Sequence, residues 1–234
     1  HFPYHHDELD PLLATPPLDR SEIHRGNAAG VRAAYLNAAA NVDRAIGRLA
    51  EAWWQHMGDD APMLVTGDHG QSFYEHGMLG HGQSLRAEQT RVPFILWGVG
   101  GLWPEPLGLV DVRARLIGSL FEAAPGANDQ RPRARFVRDP ERELFLFLPR
   151  LDRPRLLGLR RLAGLDVLGL RQLRVRHIGP DGREEGAGDA ARARRMLLTW
   201  EALRLRAARA EAGRSAGREL GSDAGTTPQQ AGAE

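Results

Sequence analysis

The sequence predicts an α/β fold: a mostly parallel sheet sandwiched by helices, followed by a smaller C-terminal α+β region and a disordered tail. Three observations carry this. The runs Met63-Leu64-Val65-Thr66 and Val92-Pro93-Phe94-Ile95-Leu96-Trp97 are short and nearly all apolar, as strands covered on both faces are. Stretches with helical periodicity alternate with such runs, the pattern of a layered α/β domain. A polar, glycine-rich stretch carrying Asp68 and His69 begins where the first run ends, which is where open α/β sheets bind ligands.

Taken in order, His1-Phe2-Pro3-Tyr4-His5-His6 leads through Pro11, Pro16 and Pro17 without a period and reads as an irregular loop. From about Asn27 to Met57, Val31, Ala34, Tyr35, Ala38, Val42, Ala45, Ile46, Leu49 and Trp53 recur at helical spacing, with Gly58 placed to end a long helix. Residues 63–66 and 92–97 are strands around a polar loop. After a Gly- and Pro-rich connection, Asp111 is placed to cap a helix whose apolar side is Leu116, Ile117, Leu120 and Phe121. Composition shifts to Pro, Gly, Asn, Asp and Arg over 124–135, so residues 1–123 form a first unit and 124–212 a second. In the second unit, 143–148 and 172–178 read as strands and Asp181-Gly182 as a hairpin-like turn. Asp189 to about Ala212 reads as an Arg-rich surface helix burying Met196, Leu197, Trp200, Leu203 and Leu205. Residues 213–234 are rich in Gly, Ala, Ser and Gln and are expected to be disordered.

The 234 residues suffice for a substantial core. Cysteine is absent, so any metal must be held by oxygen and imidazole, and no disulfide framework exists. No stretch approaches the roughly 20 apolar residues of a membrane span. The first residue is His rather than Met, and the chain is expected to be the C-terminal part of something longer. The net charge of +1 divides into −7 over residues 1–130 and +8 over residues 131–234. The basic residues are all Arg, which fits a codon bias of GC-rich DNA as well as it fits an anionic partner.

The chemistry concentrates in residues 64–97. A carboxylate next to an imidazole at a strand end offers two ligands that reach one divalent cation from a single turn. Asp-His-Gly alone reads first as a turn with an ordinary surface Asp. The density of His69, His76 and His81 in one loop, with Asp68 and Glu75 interleaved, is what points to metal or anion chemistry. Imidazoles there bind metal, donate to a tetrahedral anion, or protonate a leaving group.

Asp68-His69-Gly70, Glu75-His76-Gly77, His81-Gly82, Ser84-Leu85, Glu88-Gln89 and Arg91-Val92-Pro93-Phe94-Ile95 follow one another in an order that resembles the C-terminal half of the sulfatase family, in the alkaline-phosphatase superfamily. His1-Phe2-Pro3-Tyr4, the helix from Tyr35-Leu36-Asn37 through Asp43, and Val110-Asp111 leading into a helix agree with it. The resemblance covers about residues 1–123. It implies an alkaline-phosphatase-like fold, truncated, with Asp68 and His69 as ligands of a catalytic divalent cation: calcium, manganese, magnesium or zinc. It implies that His81 stands where relatives place a Lys or His against the sulfate or phosphate group, and that His1 contacts the transferred group. Glu75 and His76 are accessory, shaping the loop, with ligation by His76 the lesser option. His5, His6, His24, His56 and His177 match no motif and are read as surface residues.

The family nucleophile, a Cys or Ser matured to formylglycine or else a Thr or Ser, lies in the family's N-terminal half, and no residue here matches its motif. The parent protein is therefore expected to be a metal-dependent sulfate-ester hydrolase, this chain supplying half of the site and inactive alone. Its substrate would be a small-molecule, glycan or lipid ester. The Asp-His pair, where many sulfatases use Asp-Asn, leaves a phosphate-ester or phosphonate hydrolase or phosphotransferase of the same superfamily as the alternative. A non-catalytic domain whose Arg-rich part binds anionic lipid surfaces is the alternative of another class. A nucleic-acid platform is not expected, because the Arg residues are scattered and few aromatics accompany them. The resemblance also implies an extracytoplasmic location, periplasmic or membrane-anchored through helices preceding this chain.

Overall fold

The computed structural model describes Tyr4 and residues 18–122, 134–148, 154–187 and 189–222. Helix α1 (Ala28–Met57) occupies the span its periodicity predicts and stops at Gly58, where φ is 91° and the N–H donates to the Trp54 carbonyl. Its first half buries Val31, Ala34 and Asn37. Val31 and Ala34 pack with Tyr4, Phe73, Tyr74 and Leu79, and the Tyr35 and Phe73 rings lie 4.7 Å apart. These contacts fasten α1 to the loop after the first strand. Further along, the same apolar stripe leaves Val42, Leu49, Trp53 and Met57 exposed.

Strand β1 (Met63–Thr66) is followed by a small hairpin of β2 (Ser72–Phe73) and β3 (Leu79–Gly80), by the single turn α2 (Ala87–Thr90), and by β4 (Phe94–Trp97). β1 and β4 pair antiparallel, Met63 opposite Trp97 and Thr66 opposite Phe94. Next come β5 (Leu102–Glu105), α3 (Leu109–Glu122) and β6 (Arg135–Arg138), with β5 and β6 parallel. Asp111 lies within the first turn of α3, not before it. There its carboxylate accepts the Gly108 N–H at 3.1 Å and the Arg142 guanidinium at 2.6 Å.

The mostly parallel sandwich expected from sequence is not what the described residues form. They form mixed α and β structure with several small sheets, and β5–β6 is the parallel pair among them. The connections explain this. Parallel strands need a long crossover such as α3, whereas residues 67–93 cross back as a loop and leave β1 and β4 antiparallel.

The second unit is a five-stranded antiparallel meander: β7 (Leu144–Leu148), β8 (Leu156–Arg161), β9 (Gly164–Gly169), β10 (Arg174–Ile178) and β11 (Glu184–Ala187). Helix α4 (Ala190–Ser222) lies on one face and continues past Ala212, so that residues 213–222, expected to be disordered, are helical. Met196, fully buried, packs with Leu157, Leu159, Leu168 and Val175, joined by Leu197 and Trp200, while Leu205 is exposed. On the other face Leu165, Val167 and Ile178 enclose Leu85, a residue of the first unit. Residues 223–234, the end of the expected tail, lie outside the described residues. No described helix is long and apolar enough to cross a membrane.

Many of the Arg side chains in the second unit are engaged internally. Asp166, 1% exposed, accepts from Arg192 at 2.9 Å, Arg161 at 3.0 Å and His177 at 2.7 Å. Arg195 pairs with Glu143, and Arg176 with Glu184. His177 is thus a partner of a buried carboxylate and not the surface residue expected, because alternation along β10 puts it on the α4 face beside Asp166 of β9.

Candidate metal and anion site

The site begins where β1 ends. Asp68 is mostly exposed, and its Oδ1 accepts the His69 N–H at 2.9 Å, which folds the carboxylate back over the next residue. The His69 Nδ1 donates to the Gly70 carbonyl at 2.9 Å, so in the neutral ring Nε2 bears the lone pair. That Nε2 is 3.6 Å from Asp68 Oδ2. Two donors at this separation suit one divalent ion at the roughly 2.0–2.2 Å bonds that such ligands make, and the backbone bond to Nδ1 is the usual way a ligating imidazole is oriented. The donor chemistry therefore fits a cation. Among the described residues no group of three His, Asp or Glu is placed to hold a metal ion, so no further His, Asp or Glu joins the pair there.

Gly70 is required by its surroundings. Its N–H donates to the Gln89 carbonyl at 3.0 Å, and a Cβ would overlap the Glu88 carbonyl and stand 3.1 Å from that of Arg91. The close approach seats the turn after β1 directly on α2.

His81 comes from the turn after β3 and stacks on His69, with ring centroids 3.7 Å apart and planes 25° from parallel. Its Nδ1 donates to Gln71 Oε1 at 3.2 Å, and the Gln71 amide in turn donates to the Tyr4 hydroxyl. Tyr4 is buried against Tyr35 and Phe73; burial raises its phenol above the ordinary range, the bond from Gln71 opposing. The structure thus brings Asp68, His69 and His81 together. Glu75 instead accepts the Phe73 N–H and closes its own loop. His76 adopts a left-handed conformation and pairs through Nε2 with Glu88 at 3.0 Å. His1 lies outside the described residues, as do His5 and His6.

Two glutamines carry the site's framework: Gln71 stands in no motif, and Gln89 belongs to the Glu88-Gln89 pair of the resemblance without a role assigned to it there. Gln89 is 4% exposed: its Oε1 accepts the N–H groups of Gln83 and Ser84, each at 3.0 Å, and its Nε2 donates to Ser72 Oγ at 2.8 Å. One buried amide thereby joins α2, β2 and the turn after His81. Gln71 pairs with His81 and Tyr4, and Gln89 with Ser72 as well as its nearer neighbours, so their roles depend on how the loop folds and not on motif spacing.

The model of the sulfatase family matches residues 3–117. No curated protein matches the chain.

Proposed function

Because residues 3–117 of the chain belong to the sulfatase family, we propose that Asp68 and His69 hold a divalent cation and that His81 faces the anionic group of a sulfate ester. The observation that carries this is the stack of His81 on His69, which sets an imidazole against the candidate ligand pair. A cation bound there supplies Lewis-acid polarisation of ester oxygens. The chain's own residues do the rest of the work. The Gly70 carbonyl fixes the His69 ring so that Nε2 is the ligating atom. Gln71 accepts the Nδ1 proton of His81 and assigns Nε2 to the anion, where the charged ring donates to an oxygen and the neutral ring takes up a proton.

In this reading the chain contributes half of a site. The nucleophile, the further acidic ligands and the rest of a mostly parallel sheet come from sequence other than these residues. The exposed side chains of Ile95 and Trp97 on β4 and of Val42, Leu49 and Met57 on α1 support it, since apolar surface of this kind marks a face that something covers. Residues 1–123 form the half-site unit and 124–212 its companion. The substrate is a small-molecule, glycan or lipid ester met outside the cytoplasm, as the family implies, with any anchor outside the described helices. Phosphate esters are the second reading, favoured by the Asp68-His69 pair itself. Binding of anionic surfaces by the Arg-rich unit loses ground, because Arg161, Arg176, Arg192 and Arg195 all have carboxylate partners within the fold.

Calorimetric titration of the chain with manganese tests the reading. One equivalent should bind, and Asp68→Ala and His69→Ala should each weaken it at least about tenfold, as removing parts of a metal site does. Equal affinity in all three proteins contradicts the assignment. The chain alone should not turn over aryl sulfate, and turnover that Asp68→Ala abolishes would contradict the half-site.

A further inference from the structure

We propose that the antiparallel sheet of the second unit is a positioning platform for His81, acting through Leu85, which it grips in a notch at Gly158. The inference rests on the reading above only in naming what His81 faces; the mechanical coupling stands on the geometry alone.

The notch follows from the strand register. Gly158 on β8 lies opposite Leu146 of β7 and Val167 of β9, on the face away from α4. Leu85 is 4% exposed and packs there with Leu165, Val167 and Ile178, bordered by Leu146, Leu148 and Leu156. A Cβ at position 158 would come within 3.0 Å of Leu85 Cδ1 and 3.2 Å of Leu165 Cδ1, so a side chain there would push both by a few tenths of an ångström. Backbone and charge close the grip. Arg160, also on β8, donates to the Leu85 carbonyl at 3.3 Å, and Arg86 donates to the Gly182 carbonyl at 2.8 Å while lying 3.6 Å from Glu184.

The grip reaches His81 by a short route. Ser84, next to Leu85, is held with Gln83 by the buried amide of Gln89, which also holds Ser72 of β2. β2 pairs with β3, whose last residue, Gly80, precedes His81. The turn carrying His81 is therefore pinned before by the β2–β3 hairpin and after by Ser84 and Leu85. Without the platform, the later pin rests on Gln89 and on the Thr90 hydroxyl, which donates to the Leu85 carbonyl at 3.4 Å. Leu85 and Gly158 are positioning residues: they act on His81 through the turn.

The test is ring spectroscopy of the histidines in the 234-residue chain. In Gly158→Ala, the His81 ring signals should shift or broaden and the cross-peak between the His69 and His81 rings should be lost. The His177 signal, on the α4 face of the same sheet, should stay in place and report that the sheet is folded. Leu85→Ala should reproduce the loss, Leu85→Met should retain the cross-peak, and adding Gly158→Ala to Leu85→Ala should alter the His81 signals no further, because the Leu85 end of the contact is gone and the tight approach that is left is to Leu165, inside the sheet. His81 signals unchanged in either folded variant, or effects that add in the double variant, overturn the proposal. Should Gly158→Ala fail to fold, Leu85→Ala against Leu85→Met decides alone. A chain that binds no manganese at Asp68, yet loses the His69–His81 cross-peak in Leu85→Ala, would refute the metal site and leave the platform standing.

Discussion

Gln71 decides which nitrogen of His81 carries the ring proton, since its Oε1 accepts from Nδ1 at 3.2 Å and its amide is committed to the Tyr4 hydroxyl. Gln71→Leu removes that acceptor and should turn the single tautomer of His81 into a mixture in nitrogen spectra, while Gln71→Glu, which still accepts, should preserve it. A His81 spectrum unchanged in Gln71→Leu would contradict the assignment. At this scale the sequence is legible where chemistry is dense: Asp68, His69 and His81 stand in one loop and are brought together in space. It is illegible where a residue's role depends on a distant partner. Gln71 and Gln89 are ordinary polar residues until the fold sets His81, Ser72 and Ser84 around them.

Among the elements, the charge cluster joining β9, β10, β8 and α4 sets the pH response of the second unit. Burial pushes the Asp166 carboxyl up, but the hydrogen bond from His177 and the charge and hydrogen bond of Arg192 outweigh it and hold it below the usual carboxylate range. A carboxyl so depressed contributes stability that is present above its unfolded pKa and is lost as pH falls through the lower folded value. Asp166→Asn should cost about 3 kcal/mol at pH 7, the low end for breaking a buried ion pair, because Arg192 keeps some contact with solvent. The deficit should persist on acidification to the ordinary carboxylate range and shrink only below it. Equal denaturation midpoints for both proteins at pH 7 would contradict this. The elements also show where pattern misleads. The apolar runs 63–66 and 92–97 do form strands, but β4 leaves Ile95 and Trp97 exposed, and the strand covered on both faces is β9, with Leu165 and Val167 against Leu85 and Leu168 against Met196. Here, however, a helix and a loop cover an antiparallel meander. β8 and β9 carry little strand signal because Leu and Gly dominate them and Val167 is their one β-branched residue.

For the whole molecule, the division into an acidic first unit and a basic second one is written in the sequence, and their attachment is not. Leu85 sits in the family motif run, yet its side chain belongs to the core of the second unit. The boundary near 124–135 therefore separates two stretches of composition without separating two independent cores. The same view makes sense of the exposed apolar faces of α1 and β4, which lie in the first unit and which the second unit leaves open. The proposed site requires that Asp68, His69 and the ring of His81 share one small volume. Manganese, being paramagnetic, reports this directly, because it broadens ring signals steeply with proximity. Titrated into the chain, it should broaden His69 and His81 together, well before His24, His56 and His177, and Asp68→Ala should abolish that order. Broadening that reaches His177 or His56 first, or that spares His81 while erasing His69, would contradict the account.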